Sequence, residues 1–221
     1  MFCVVSHPRS GTHLLCKYIF DNFQTPYGDY FDLFASHHLD FEGVRKKFPT
    51  ACILHIIRGA EHTLKSVFRM RERNGIDFGF DDFSAFLRTK YCDMPRTTKT
   101  KTILYNGDNP TQHRPVSWIG QQDSTPIELW LRSNLYWFKN AQVISLTYSS
   151  MKNNPGRIMD FLEDMTRWKR KKNLRMCEGP VGLRPLDNKD FAICDKDMSL
   201  LHETETRFYE EIGYEPFVEA C

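Results

Sequence analysis

The sequence predicts an α/β domain of three layers, a mostly parallel sheet with helices on both faces. Three observations point there. Apolar runs short enough to be buried strands recur at residues 2–6, 51–57 and 142–147. Segments with apolar residues at helical spacing follow them. Strands alternating with helices give parallel sheets whose connections pack on the faces. The 221 residues suit one domain, taken as 1–221, with a full core. In such sheets ligands bind beyond the carboxyl ends of the strands.

Residues 2–6, Phe-Cys-Val-Val-Ser, form the first strand. Pro8, Arg9, Ser10 and Gly11 make a tight turn into a helix over 12–23, whose Leu14, Leu15, Tyr18 and Ile19 share a face. Residues 51–57 are the second strand, and 60–73 a helix stopped by Asn74-Gly75. Residues 81–90 form a helix with Phe83, Phe86 and Leu87 inward. From 94 to 125 periodicity is lost, and a loop of that length is either functional or plain surface. Pro126 opens a helix over 126–140, ahead of a third strand at 142–147. Pro155 opens another over 155–168, and a last helix over 196–212 ends at Gly213.

Charged residues are 26% of the chain and the net charge is +2, which argues against a nucleic-acid coat and a disordered tail. No apolar run approaches the roughly 18 residues that span a bilayer. No signal peptide precedes the first strand. The seven cysteines are scattered, with no C-x-x-C pair, as expected of free thiols in a reducing compartment. A cytoplasmic protein is therefore expected.

The first turn carries the most chemistry. A strand that runs through a tight turn into a helix gathers backbone N–H groups at the positive end of the helix dipole. That is an anion site, usually for phosphate. Arg9 adds a planar fork of donors and Thr12 a hydroxyl. The Walker A pattern does not fit, because Thr12 rather than lysine follows Gly11. The second strand ends in Arg58, where an ATP-hydrolysing P-loop protein would carry a metal-binding aspartate.

Pro8-Arg9-Ser10-Gly11-Thr12 resembles the loop by which sulfotransferases hold the 5′-phosphosulfate of 3′-phosphoadenosine-5′-phosphosulfate, PAPS. The family pattern there is P-[KR]-S-G-T. The run from Leu54 to Ser66 is similar to the family's 3′-phosphate element, a strand ending in arginine with a serine eight positions later; Arg58 and Ser66 have that spacing. Ser36-His37-His38-Leu39 falls where the family carries its catalytic base. The segment from Leu146 to Pro155 resembles Y-E-D-M-K-x-x-P, with Ser149-Ser150 in place of the acidic pair. The resemblance covers about residues 3 to 165, and the rest matches loosely.

The resemblance implies a PAPS-dependent sulfotransferase of P-loop-like α/β fold, with PAPS as co-substrate and no metal. Arg9, Ser10, Gly11, Thr12 and His13 would surround the 5′ end, and Arg58 with Ser66 the 3′-phosphate. Each has a plainer reading: Arg9 as a surface arginine, Thr12 as a helix cap, Arg58 and Ser66 as polar residues at a strand end and on a helix. His7 and His13 flank the loop, either contacting the anion or packed beside it. Tyr148 would pack near adenine or serve as a core tyrosine. His37 and His38 compete as base, and the T-H-L order of the family favours His38; in an extended segment only one can reach the site.

The family's late R-K-G element has no clean counterpart; Glu178-Gly179-Pro180-Val181-Gly182 echoes it without the basic pair, and Arg175 or Arg184 are the substitutes at hand. The basic run at 167 and 169–172 reads as a solvated helix end. The acceptor is a small molecule, glycan or peptide. Phe78, Phe80, Tyr91 and Trp118 would line an apolar pocket or belong to the core, whereas Arg96, Lys99, Lys101 and Arg114 suit an acidic acceptor. No nucleic acid and no membrane span are expected, and oligomeric state is not legible. Two other readings stand beside this one: a small-molecule or nucleotide kinase with a degenerate P-loop, and a non-catalytic nucleotide-binding protein of sulfotransferase-like fold.

Overall fold

The computed structural model describes residues 2–24, 33–36, 39–69, 78–94, 122–166, 168–171 and 193–213. Its centre is a four-stranded parallel sheet in the order β3-β1-β4-β5. The strands are β1 (Phe2–Ser6), β3 (Leu33–Ser36), β4 (Cys52–Ile57) and β5 (Val143–Thr147). β1 is buried along its whole length, as its unbroken apolar run requires. Val4 lies level with Ala35 on one side and Leu54 on the other, and Leu54 with Ile144.

Side chains alternate across the sheet and meet helices on both faces. Phe2, Val4, Leu54, Ile56 and Leu146 pack under α1 (Thr12–Asn22) and a later helix, Pro155–Met165, through Leu15, Ile19, Met159 and Leu162. Cys3, Val5 and Ile53 face the other way, against Phe41 and Val44 of α2 (Phe41–Lys47) and Trp137 of the helix Pro126–Phe138. The fold is thus α/β, three-layered and parallel in its main sheet, as the alternating pattern predicts.

In chain order the remaining helices are α3 (Ala60–Phe68), α4 (Phe83–Arg88), α5 (Pro126–Phe138), α6 (Tyr148–Asn153), α7 (Pro155–Met165) and α8 (Asp195–Glu211). Ile57 at the end of β4 joins a second apolar cluster with α3, α4, α5 and α8, built on Leu64, Phe86, Trp130, Leu201 and Phe208. α5 starts with a full capping box, Thr125 and Glu128 each bonding the other's backbone. α2 is opened by Asp40, whose carboxylate accepts from Gly43 N–H at 2.8 Å.

Several sequence expectations need correction. Of the helix expected over 60–73, α3 runs to Phe68 and is capped by Arg69, while residues 70–73 lie outside the described residues. β3 and α2 were not anticipated. The expected helix over 155–168 stops at Met165, and Lys169–Arg170 pairs antiparallel with Phe23–Gln24 as β6 with β2. Part of the basic run is therefore a short strand, not a helix end. Tyr91 is buried in the second apolar cluster, and Phe78 and Phe80, partly buried, pack against it. Trp118 and residues 95–121 of the expected loop lie outside the described residues. Among the described residues no helix is long and apolar enough to cross a membrane.

Candidate functional site

The chain passes from β1 to β3 on one side and returns to β4 on the other. The sheet order therefore reverses between β1 and β4, and a crevice opens outside the carboxyl ends of those two strands. The loop of Pro8 to Gly11 leaves β1 there, and Arg58 directly follows β4.

Local backbone shapes that loop. Ser10 N–H donates to the His7 carbonyl at 3.2 Å and closes the turn. Arg9 has φ 71°, alone among the described non-glycine residues in having positive φ, and Gly11 has φ 108°. Left-handed backbone costs an L-residue about 1–2 kcal/mol, so Arg9 is held there by its surroundings. A backbone that changes hand in this way lines a concavity with N–H groups, an anion cradle. Gly11 is also the N-cap of α1, so the cap expected of Thr12 belongs to Gly11. The Thr12 hydroxyl instead lies 2.5 Å from Ser6 Oγ. Ser10 is fully buried and its hydroxyl has no hydrogen-bond partner among the described residues. Leaving such a group unpaired costs about 1–3 kcal/mol, so a donor-hungry or acceptor-hungry ligand here would be favoured. His7 is buried and donates through Nδ1 to the Pro8 carbonyl at 2.9 Å, bracing the turn. His13 is exposed in the first turn of α1.

The second element meets the first. Arg58 donates through one terminal nitrogen to the Arg9 carbonyl at 3.2 Å. Arg9 Nε donates to Ser66 Oγ at 3.1 Å. The Arg58 guanidinium lies 4.6 Å from the centroid of the Tyr148 ring, a cation–π contact. A Cβ on Gly11 would come within 2.5 Å of the same ring. Tyr148, first residue of α6, thus sits between the loop and Arg58 while also packing against the apolar cluster under α1. Arg9, Gly11, Arg58, Ser66 and Tyr148, scattered over the sequence, form one cluster with two guanidinium groups.

The backbone at Arg58 is itself clamped. Its carbonyl accepts from Trp130 Nε1 at 3.0 Å and from Thr63 Oγ1 at 3.1 Å. Trp130 continues into a buried polar chain: its carbonyl accepts from Asn134 Nδ2 at 2.8 Å, and Asn134 Oδ1 accepts from His55 Nε2 at 3.1 Å. His55 Nδ1 accepts from the Ser145 hydroxyl at 3.0 Å. Burial pushes the His55 pKa down to about 3, so the ring is neutral and held in one tautomer. Next to the clamp, Glu205 of α8 accepts from Ala60 N–H at the start of α3. Sequence reading missed Trp130 and Glu205, because their partners lie 72 and 145 positions away, and it missed Thr63, whose hydroxyl turns back to a carbonyl five positions earlier.

β3 ends at Ser36, level with Val5, on the sheet edge from which the Pro8 loop leaves. His37, His38, Arg175 and Arg184 lie outside the described residues. Among the described residues no group of three or more His, Cys, Asp or Glu side chains is arranged to hold a metal ion.

No family model matches the chain. No curated protein matches it either. Among solved structures it is similar to mouse sulfotransferase SULT7A1 complexed with PAP. That likeness covers 99% of this chain and 68% of the other, at 15% identity and a TM-score of 0.47.

Proposed function

We propose that the protein is a PAPS-dependent sulfotransferase, moving a sulfuryl group to a hydroxyl, or an amine, of a small-molecule, glycan or peptide acceptor. One observation carries the reading: the anion cradle after β1 and the arginine–serine pair after β4 touch at the switch point, through Arg9 with Ser66 and Arg58 with the Arg9 carbonyl. A nucleotide phosphorylated at both ends needs two cationic anchors within one crevice, and that arrangement supplies them. The buried Ser10 hydroxyl in the cradle fits a phosphate oxygen as partner.

PAPS supplies an activated sulfuryl group and a phosphate leaving group. In the proposed transfer, the acceptor oxygen bonds to sulfur as the bond from sulfur to the phosphate oxygen breaks. Arg9 and the loop N–H groups stabilise the charge that grows on the leaving phosphate. Arg58 and Ser66 hold the 3′-phosphate and so favour this donor over ATP. His38 receives the acceptor's proton, with His37 as the competing base. The scheme uses no metal, and the reading carries with it a cytoplasmic enzyme.

Calorimetry with adenosine 3′,5′-bisphosphate, followed by a screen for transfer of radiolabelled sulfate, tests the proposal. Saturable binding with labelled product supports it. Binding without transfer would point to a non-catalytic nucleotide-binding protein, and magnesium-dependent ATP turnover to a kinase.

A further inference from the structure

The turn that carries Arg58 is held by a residue from the far end of the chain. α3 has glycine at its N-cap, and Gly59 contributes no side-chain cap. The first N–H groups of a helix need acceptors from elsewhere. Glu205 of α8 supplies one: its Oε1 accepts from Ala60 N–H, across 145 positions of sequence. The backbone at Glu61 also lies close enough to influence this carboxylate. Gly59 marks the approach independently, because a Cβ there would stand 3.0 Å from Glu205 Oε1. Three positions on, Phe208 packs edge-on against Trp130 at 5.7 Å, and Trp130 donates to the Arg58 carbonyl. One stretch of α8 therefore grips the Arg58–Ala60 turn twice, directly through Glu205 and indirectly through Phe208.

We propose that Glu205 is a positioning residue for the anion element formed by Arg58 and Ser66, acting from α8 as the missing N-cap of α3. Negative charge suits the positive end of a helix dipole, and the cap fixes where α3 begins. Arg58 lies two residues before that point and Ser66 within the helix, so their relative placement depends on it. The carboxylate also occupies the helix N-terminus, leaving side chains to bind a phosphate at this element. The half-buried carboxyl, whose pKa burial raises, lies near Glu61 and His62. Its bond from Ala60 N–H keeps it in place there. The proposal rests on reading Arg58 and Ser66 as the 3′-phosphate element.

The test compares wild type, Glu205→Gln and Glu205→Ala in the full chain. Glutamine keeps an amide oxygen for Ala60 N–H; alanine keeps nothing. Affinities are measured for adenosine 3′,5′-bisphosphate and for adenosine 5′-monophosphate, which lacks the 3′-phosphate. Alanine should cut the preference for the bisphosphate about tenfold, and glutamine should restore most of it. Equal weakening of both nucleotides would reduce Glu205 to a general stabiliser and overturn the proposal. Hydrogen exchange at Ala60 and Glu61 provides a readout that needs no nucleotide: it should quicken at least tenfold in the alanine variant, with α1 unchanged. Unchanged exchange there overturns the cap, whether or not a nucleotide binds. Failure of wild type to bind either nucleotide would instead sink the sulfotransferase reading, while exchange still decides the cap.

Discussion

Arg9 Nε and Ser66 Oγ lie 3.1 Å apart, so residues separated by 57 positions share one hydrogen bond. The bond ties the loop after β1 to the second turn of α3. Since Arg58 also donates to the Arg9 carbonyl, two hydrogen bonds join the two guanidinium-bearing segments.

Replacing Arg9 with alanine removes the guanidinium that bonds Ser66 and that the proposed reading places on the leaving phosphate. Loss of a single preorganised charge-stabilising group costs roughly a hundredfold or more in turnover. Arg9→Ala should therefore lose at least about a hundredfold in sulfate transfer while circular dichroism and melting stay near wild type. Near-normal transfer would remove Arg9 from the mechanism.

Gly11 answers two constraints at once, a φ of 108° and a ring that a Cβ would strike at 2.5 Å. Gly11→Ala should destabilise the fold by about 2–5 kcal/mol, the combined scale of left-handed strain and overpacking. Urea unfolding measures this. Adding Tyr148→Ala should relieve the clash but not the strain. A double variant as unstable as the sum of the two singles would contradict the contact.

Tyr148 holds the Arg58 guanidinium by its ring face at 4.6 Å. Tyr148→Phe keeps that face and should bind adenosine 3′,5′-bisphosphate nearly as well as wild type. Tyr148→Leu should weaken binding about threefold to tenfold, as expected from losing about 1 kcal/mol of cation–π attraction. Equal affinities for the two variants would assign Tyr148 to packing alone.

His55 makes stability depend on acidity. Its pKa is about 3 in the folded chain, because burial disfavours the charged ring, and about 6.5 when unfolded. Between those values the unfolded state binds a proton that the folded state refuses. Stability is therefore fully present above about pH 6.5 and falls as pH drops toward 3, by at most about 1.4 kcal/mol per pH unit from this group. Urea midpoints measured from pH 7 to pH 4 should show the decline, and His55→Asn should flatten it. A decline of the same slope in that variant would place the acid sensitivity elsewhere.

Much of the architecture was legible because it is written in local patterns. The apolar run at Phe2–Ser6 reads as a buried strand, and Pro126 and Pro155 do mark the first turns of α5 and α7. β3 was not legible: Leu33–Ser36 is four residues long, too short for alternation to stand out. α2 was missed because Gly43 interrupts a seven-residue helix, although Asp40 before it is a recognisable cap. The cap of α3 at Arg69 is not legible, because residues 60–73 read as one continuous helix in sequence. Within the site, Arg9, Arg58 and Ser66 could be named from spacing and resemblance, but not the bonds between them. Tyr148 against Gly11, and Trp130 on the Arg58 carbonyl, depend on which strands become neighbours. Strand order is a property of the folded sheet and leaves no mark at any single position.

The carboxylate at the head of α3 is encoded 145 residues downstream of the amide it receives. During synthesis the sheet strands and the glycine turn emerge from the ribosome well before that glutamate exists. A nascent chain can therefore collapse around its apolar strands while the arginine turn still lacks its last restraint. A polypeptide stopped short of Asp195 would leave the head of α3 without its carboxylate and the second apolar cluster without Leu201 and Phe208.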